Sequence, residues 1–180
     1  SALLKNIKKS TRARTMFILG QIYEHQGDNR RATEQFKAVI KKHPGYEMTF
    51  EAQMNLAKCH DSHDTTSIMK MFWKMLDDSK NTEYKDRIFY AMSDVALKKD
   101  NEDLGIKYLR KSVATSTNNN RQKVKSSLKA ASMLFDNKDY ILSQAYYDTV
   151  VMTMDRTYPE YDSLLNLSVM LSDLVDNLST

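Results

Sequence analysis

"ARTMFILGQIYEHQGDNRRATEQFKAVIKKHPGY", residues 13–46, decides the fold. Apolar residues recur at helical spacing in both halves: Met16, Leu19 and Tyr23, then Ala32, Phe36, Val39 and Ile40. Between the halves, Gly27-Asp28-Asn29 supplies a helix-ending glycine followed by N-cap residues, and Pro44-Gly45 closes the second run. The spacing predicts two helices folded back on each other. Gly20 and Ala32 fall where the two backbones come closest, so a bulky side chain at either costs about 1–3 kcal/mol in overpacking.

Working outward, the 180 residues are 41% hydrophobic and 28% charged with only 4 Gly and 2 Pro, which argues for helices throughout and short connections. A parallel α/β sheet needs more glycine turns and a strand–helix rhythm, and neither is present. One cysteine, Cys59, excludes an internal disulfide framework. No apolar run approaches the ~20 residues that span a bilayer, so no direct membrane insertion is expected, and no secretory leader pattern is visible. The opening "SALLKNIKKSTRAR" reads as a helix already under way. Residues 1–12 are expected to be a partial N-terminal helix, the second helix of an upstream unit, and the chain a piece of a longer protein.

Net charge is +4 but unevenly spread: residues 1–46 carry +7, 47–84 carry −3, 85–123 carry +4 and 124–180 carry −4. Alternating blocks suit separate faces for separate neighbours. They do not make the continuous basic stripe of a nucleic-acid binder, so no nucleic-acid partner is expected.

The opening pattern resembles the tetratricopeptide repeat (TPR), whose 34-residue unit wants Leu-Gly, Tyr three residues on, then Ala, Phe four beyond it, and a late Pro. Leu19-Gly20, Tyr23, Ala32, Phe36 and Pro44 fill those places. Weaker copies follow in phase. Leu56-Ala57 marks residues 50–83, with Met69, Trp73 and Leu76 on the second helix; Met92-Ser93, Gly105 and Leu109 mark 86–119; Ala130-Ala131, Ser143 and Tyr147 mark 124–157. Beyond Pro159 a last helix, about 160–178, carries Leu164, Leu167, Leu171, Leu174 and Leu178 on one stripe, read as a cap or the first helix of a further unit, with a coiled-coil seam as the sharper reading. The expected fold is all-α: one domain over 1–180, a right-handed α-solenoid of about four TPR-like hairpins with a C-terminal capping helix.

Catalytic and metal signals are sparse. "KCHDSHD", residues 58–64, gathers Cys59, His60 and His63 with Asp61 and Asp64, but zinc usually takes ligands from two segments and no second Cys/His cluster exists; His25 and His43 lie in another repeat. The cluster is read as a helix end and turn. No phosphate-loop, dinucleotide, nucleophile-elbow or zinc-protease motif occurs. No enzyme activity and no cofactor are expected. Asp77-Asp78 and Glu102-Asp103 read as helix-end acids, "TSTNNN" as a polar loop, and "SIMKMFWKML" as core.

The TPR resemblance implies a concave face lined by the first helix of each unit. It places there Arg14, Phe17, Gln21 and His25; Glu51, Met54 and Lys58; Arg87, Tyr90 and Asp94; and Lys125, Leu128 and Ser132. Phe17, Met54, Tyr90 and Leu128 would form an apolar track for a peptide or helix. The Lys/Asn set that clamps a terminal carboxylate in chaperone-cofactor TPRs is not reproduced, because Phe17 and Gln21 hold two of its places. More narrowly, "TRARTMFILGQIYEHQGD", "NLAKCHD", "YLRKSVATSTNNNRQK", "SQAYYDTVV" and "YPEYDSLLNLSVMLSDLVDNL" are similar to segments of the SprE/PorW-type TPR lipoproteins of Bacteroidetes. That resemblance implies a periplasmic, outer-membrane-associated protein whose partners are components of the gliding-motility and type IX secretion machinery.

The expected function is a non-enzymatic protein-binding scaffold. Two readings compete with it: a helical-repeat RNA binder using the basic block 1–46, and a metal-dependent hydrolase around Cys59, His60 and His63. Self-association is left open.

Overall fold

No Gly or Pro interrupts the chain between Ala2 and Leu19, and the computed structural model shows one unbroken helix, α1 (Ala2–His25). It describes residues 2–60 and 65–178, with side chains from residue 11 onward. The expectation of a separate second helix over residues 1–12 is therefore corrected: this segment is the first half of α1. Nothing there supplies the breaker that a turn requires, and Ser10-Thr11 alone is too weak a stop signal.

The other helices follow in hairpin order: α2 (Asn29–Lys42), α3 (Tyr46–Cys59), α4 (Thr65–Asp77), a 3-10 turn (Ser79–Tyr84), α5 (Lys85–Leu97), α6 (Glu102–Thr115), α7 (Asn120–Asp136), α8 (Tyr140–Thr153) and α9 (Tyr161–Leu178). Among the described residues there is no strand, and the all-α repeat architecture is as expected. The chain divides into two compact units, Ser1–Met75 and Leu76–Thr180.

One turn geometry recurs. Gly27, Asp100 and Lys138 stand at equivalent places between the helices of their hairpins, with φ of +76°, +52° and +62°. The next residue caps the second helix each time. Asp28 accepts from Arg31 N at 2.9 Å, Asn101 from Leu104 N at 3.1 Å and Asp139 from Leu142 N at 3.2 Å. A left-handed residue ends one helix and an Asx side chain starts the next. Only the first hairpin uses glycine, which is why its turn was the easiest to read.

In the first unit, α1, α2 and α3 pack in succession. Ala32, Phe36 and Val39 are fully buried, with the Phe36 ring edge-on to Phe17 at 5.8 Å between centroids. Gly20 is a true close approach: a Cβ there would sit 2.8 Å from Phe36 Cε1. Thr33 Oγ1 donates to Cys59 O at 3.2 Å, tying α2 to α3. The expected interior of α4 is corrected by one residue. Ile68, Phe72 and Met75 are buried instead of Met69, Trp73 and Leu76, and Trp73 is 44% exposed. The 36–38-residue spacing used to align the units cannot locate a one-residue difference in the connection before α4.

In the second unit, α5 to α9 pack in succession. Here Gly105 and Leu109 on α6, and Ser143 and Tyr147 on α8, are buried at their expected places, with Ser112 and Val150 buried beside them. Ser143 Oγ donates to Ala131 O at 2.9 Å, closing α8 onto α7. Helix α9 seats Leu164, Leu167 and Leu171 on the cluster of Ala131 and Tyr147, and Ser168 hydrogen-bonds Asp148. Leu174 and Leu178, which continue the same leucine stripe in the sequence, are exposed.

Candidate protein-binding face

In the second unit the first helices of successive hairpins bring their equivalent positions together. Arg87, Tyr90 and Asp94 lie three and four residues apart on α5, and Lys125, Leu128 and Ser132 repeat that spacing on α7. Lys125 Nζ stands 4.3 Å and Lys129 Nζ 5.4 Å from the centroid of the Tyr90 ring. Lys129 Nζ also donates to Asp94 Oδ1 at 2.5 Å. Arg87 reaches the Tyr84 ring, its guanidinium carbon 6.0 Å from the centroid. Leu128 is half-buried, packed against the cluster of Ala131, Tyr147 and Leu171, and Ser132 is exposed.

Burial, reinforced by the Asp94 charge, pushes the Tyr90 phenol up to about 12. At neutral pH it is a neutral aromatic anchor with a hydroxyl, not a nucleophile. Lys129 was missed by the sequence reading, although it lies four residues from Lys125 and so shares its face. The arrangement offers one held ring, cations on its face and one carboxylate. It is suited to gripping a side chain and steering an acidic segment.

In the first unit the equivalent residues are less open. Arg14, Gln21, His25 and Lys58 are exposed, and Phe17 and Glu51 half-buried. Met54 is only 8% exposed, part of the interior rather than an open track. Lys58 Nζ donates to Asn55 Oδ1 at 2.8 Å and lies 3.6 Å from Glu24 Oε1, so α1 and α3 meet on this face as α5 and α7 do.

Cys59 ends α3 as a buried residue. His60 is buried next to it in extended backbone, its Nδ1 2.5 Å from Ala57 O. Asp61, His63 and Asp64 lie outside the described residues. Among those described, no group of three His, Cys, Asp or Glu is disposed to hold a metal ion.

A buried polar cluster had no sequence signal. Asp86, in the first turn of α5, reads as a solvated helix-start acid, yet it is 1% exposed. Its Oδ1 accepts from Arg87 N at 2.7 Å and its Oδ2 from Ser116 Oγ at 3.1 Å. Ser112 Oγ donates to Asp86 O and accepts from Ser126 Oγ, each at 2.7 Å, and Gln122 Nε2 donates to Ser126 Oγ at 2.9 Å. This chain joins α5, α6 and α7 and holds the two helices that carry Tyr90 and Lys125.

Comparison with known proteins adds the following. The family profile described as "Tetratricopeptide repeat" matches residues 13–41. No curated protein matches the chain. A solved structure titled "Functional Characterization of Pseudomonas Aeruginosa pilF" aligns with 96% of this chain and 88% of that one, at 14% identity and a TM-score of 0.43.

Proposed function

We propose that this chain is a protein-interaction scaffold built from tetratricopeptide-type hairpins, and that its second unit grips a partner through the α5/α7 face. The observation that carries the reading is the Tyr90 ring with Lys125 and Lys129 on it and Asp94 holding Lys129. Half-buried aromatics flanked by charge are what interface hot spots are made of, and rigid helices hold them at fixed separation. The match of residues 13–41 to the repeat family supports the scaffold role.

For the setting, we propose the periplasmic side of the outer membrane, with gliding-motility and type IX secretion components as partners. This rests on the sequence segments similar to the SprE/PorW-type lipoproteins and on nothing in the fold. Affinity capture from native envelope extract tests both levels, comparing the chain with a Tyr90→Ala/Lys125→Ala variant whose helicity is checked by circular dichroism. Specific recovery of secretion components that the variant loses is the expected result. Recovery unaffected by the substitutions refutes the α5/α7 face, and recovery confined to unrelated proteins refutes the setting.

A further inference from the structure

Two clefts open along one edge of the second unit. The first, of about 400 Å³, lies where the start of α5 meets the end of α6. The second, of about 430 Å³, lies where the start of α7 meets the end of α8. They are one cleft made twice: Glu83, Asp86 and Thr115 line the first, and Arg121, Val124 and Thr153, each 38 residues further on, line the second. The α6–α7 connection forms the ridge between them, with Asn118 bordering one cleft and Asn120 the other. Each cleft also has a phenol ring in its wall, Tyr84 at 36% exposure and Tyr158 at 53%. Helices α5 and α7 contact each other, and axes in contact lie about 8–10 Å apart, so the clefts recur at about that interval.

Charge and interval narrow the occupant. The lining sets Arg87 and Arg121 against Glu83, Asp86 and Asp155, which gives a polyanion no advantage. It offers hydrogen-bond donors beside rings: the Thr117 hydroxyl, the Asn118 and Asn120 amides and the Arg121 guanidinium are all exposed. A ligand with open carbonyl oxygens suits them. An α-helix closes its carbonyls into its own ladder. A β-strand returns side chains to one face every two residues, about 6.6 Å, which falls short of the cleft interval. A polyproline II helix makes no internal hydrogen bonds and returns the same face every three residues, about 9.3 Å. That repeat matches the clefts.

We propose that this edge is a second docking surface and that its ligand is a proline-rich segment of another protein in the polyproline II conformation. Apolar side chains three residues apart enter successive clefts, one beside Tyr84 and the next between Val124, Met154 and Tyr158. The ligand's carbonyls accept from the ridge between the clefts. The edge shares Arg87 with the Tyr90 face and is otherwise lined by different residues, so the two surfaces are tested separately.

Titration of the full chain with the peptide Ac-PLPPLPPLPP-NH2, followed by backbone amide chemical shifts, tests it. The control, Ac-PLPLPLPPPP-NH2, has the same composition with its leucines two residues apart. The first peptide is expected to bind with a Kd of about 0.1–1 mM, and about tenfold more tightly than the control. Shifts are expected at residues 82–87, 115–121 and 153–158. Tyr84→Ala and Tyr158→Ala are each expected to weaken binding about tenfold, with helicity checked by circular dichroism. Tyr158 stands in a connection at the surface, so its variant keeps the test sharp if Tyr84→Ala disturbs the start of α5. Tyr90→Ala is expected to leave the affinity unchanged. Equal affinity for the two peptides overturns the proposal, as does the absence of any shift at about 2 mM peptide. Shifts centred on Tyr90 and Lys125 overturn it too, and would leave the α5/α7 face as the docking surface.

Discussion

Gly20→Ala isolates the closest approach in the first unit. Taken alone, replacing a mid-helix glycine by alanine stabilises a helix by about 1 kcal/mol. Here the new methyl would lie 2.8 Å from Phe36 Cε1, 3.0 Å from Cζ and 3.1 Å from Cδ1. These are well inside the ~3.5–4.0 Å optimum for carbon contacts. The ring cannot yield cheaply: Phe36 is fully buried and backed by Phe17 at 5.8 Å. Overpacking of this kind costs about 1–3 kcal/mol. The net expectation is destabilisation of the first unit by roughly 1 kcal/mol, which lowers its urea midpoint by roughly 0.5–1 M. Trp73 is the sole tryptophan and lies in this unit, so its fluorescence reports the unit's own transition, with circular dichroism following both. Phe36→Leu supplies the second arm of a double-mutant cycle. In that background the methyl has room, and Gly20→Ala is expected to be neutral or stabilising by up to about 1 kcal/mol. The reasoning fails if Gly20→Ala raises the midpoint with Phe36 in place, or shifts it equally in both backgrounds.

Further expectations concern the second unit. Ser93 Oγ is buried without a hydrogen-bond partner among the described residues, so Ser93→Ala should stabilise by about 1 kcal/mol; a destabilisation of that size would show the hydroxyl to be satisfied. Lys138 holds φ of +62° in its turn, and Lys138→Gly should raise stability by roughly 0.5–1 kcal/mol in urea unfolding, a loss counting against the strain argument. Asp86→Ala removes the acceptor for Ser116 Oγ and Arg87 N and should cost roughly 2 kcal/mol, whereas an effect below ~0.5 kcal/mol would mean the cluster merely fills space. Burial and the Asp94 charge push the Tyr90 phenol from its ordinary 10 up to about 12, so the folded state holds the phenolic proton more tightly than the unfolded chain does. That contribution is complete below pH 10 and is lost as pH rises through about 12. Tyr90→Phe should flatten the fall in stability across this window, and an unchanged slope would assign the fall to other groups.

Much of the fold was legible because local signals agreed with one another. In the first hairpin the periodicity, the Gly27 stop, the Asp28 cap and the small residue at Gly20 all point to one geometry. The second hairpin lacked such agreement. With no glycine in its turn, the register of α4 came from repeat spacing and fell one residue off the buried Ile68, Phe72 and Met75. Concave-face residues came from family resemblance, which cannot tell that Lys125 stands over the Tyr90 ring or that Met54 is inside.

By itself, then, the sequence determined that the chain is helical, where most hairpins turn, and which small residues sit between paired helices, because these depend on contacts a few residues apart. Only tertiary structure decided that Asp86 is buried, that Lys129 joins the Tyr90 site, and which side of α9 packs inward. Each of those depends on how a neighbouring helix is rotated about its own axis. That rotation is set by summed packing over residues far apart in the chain, and no spacing within one helix encodes it.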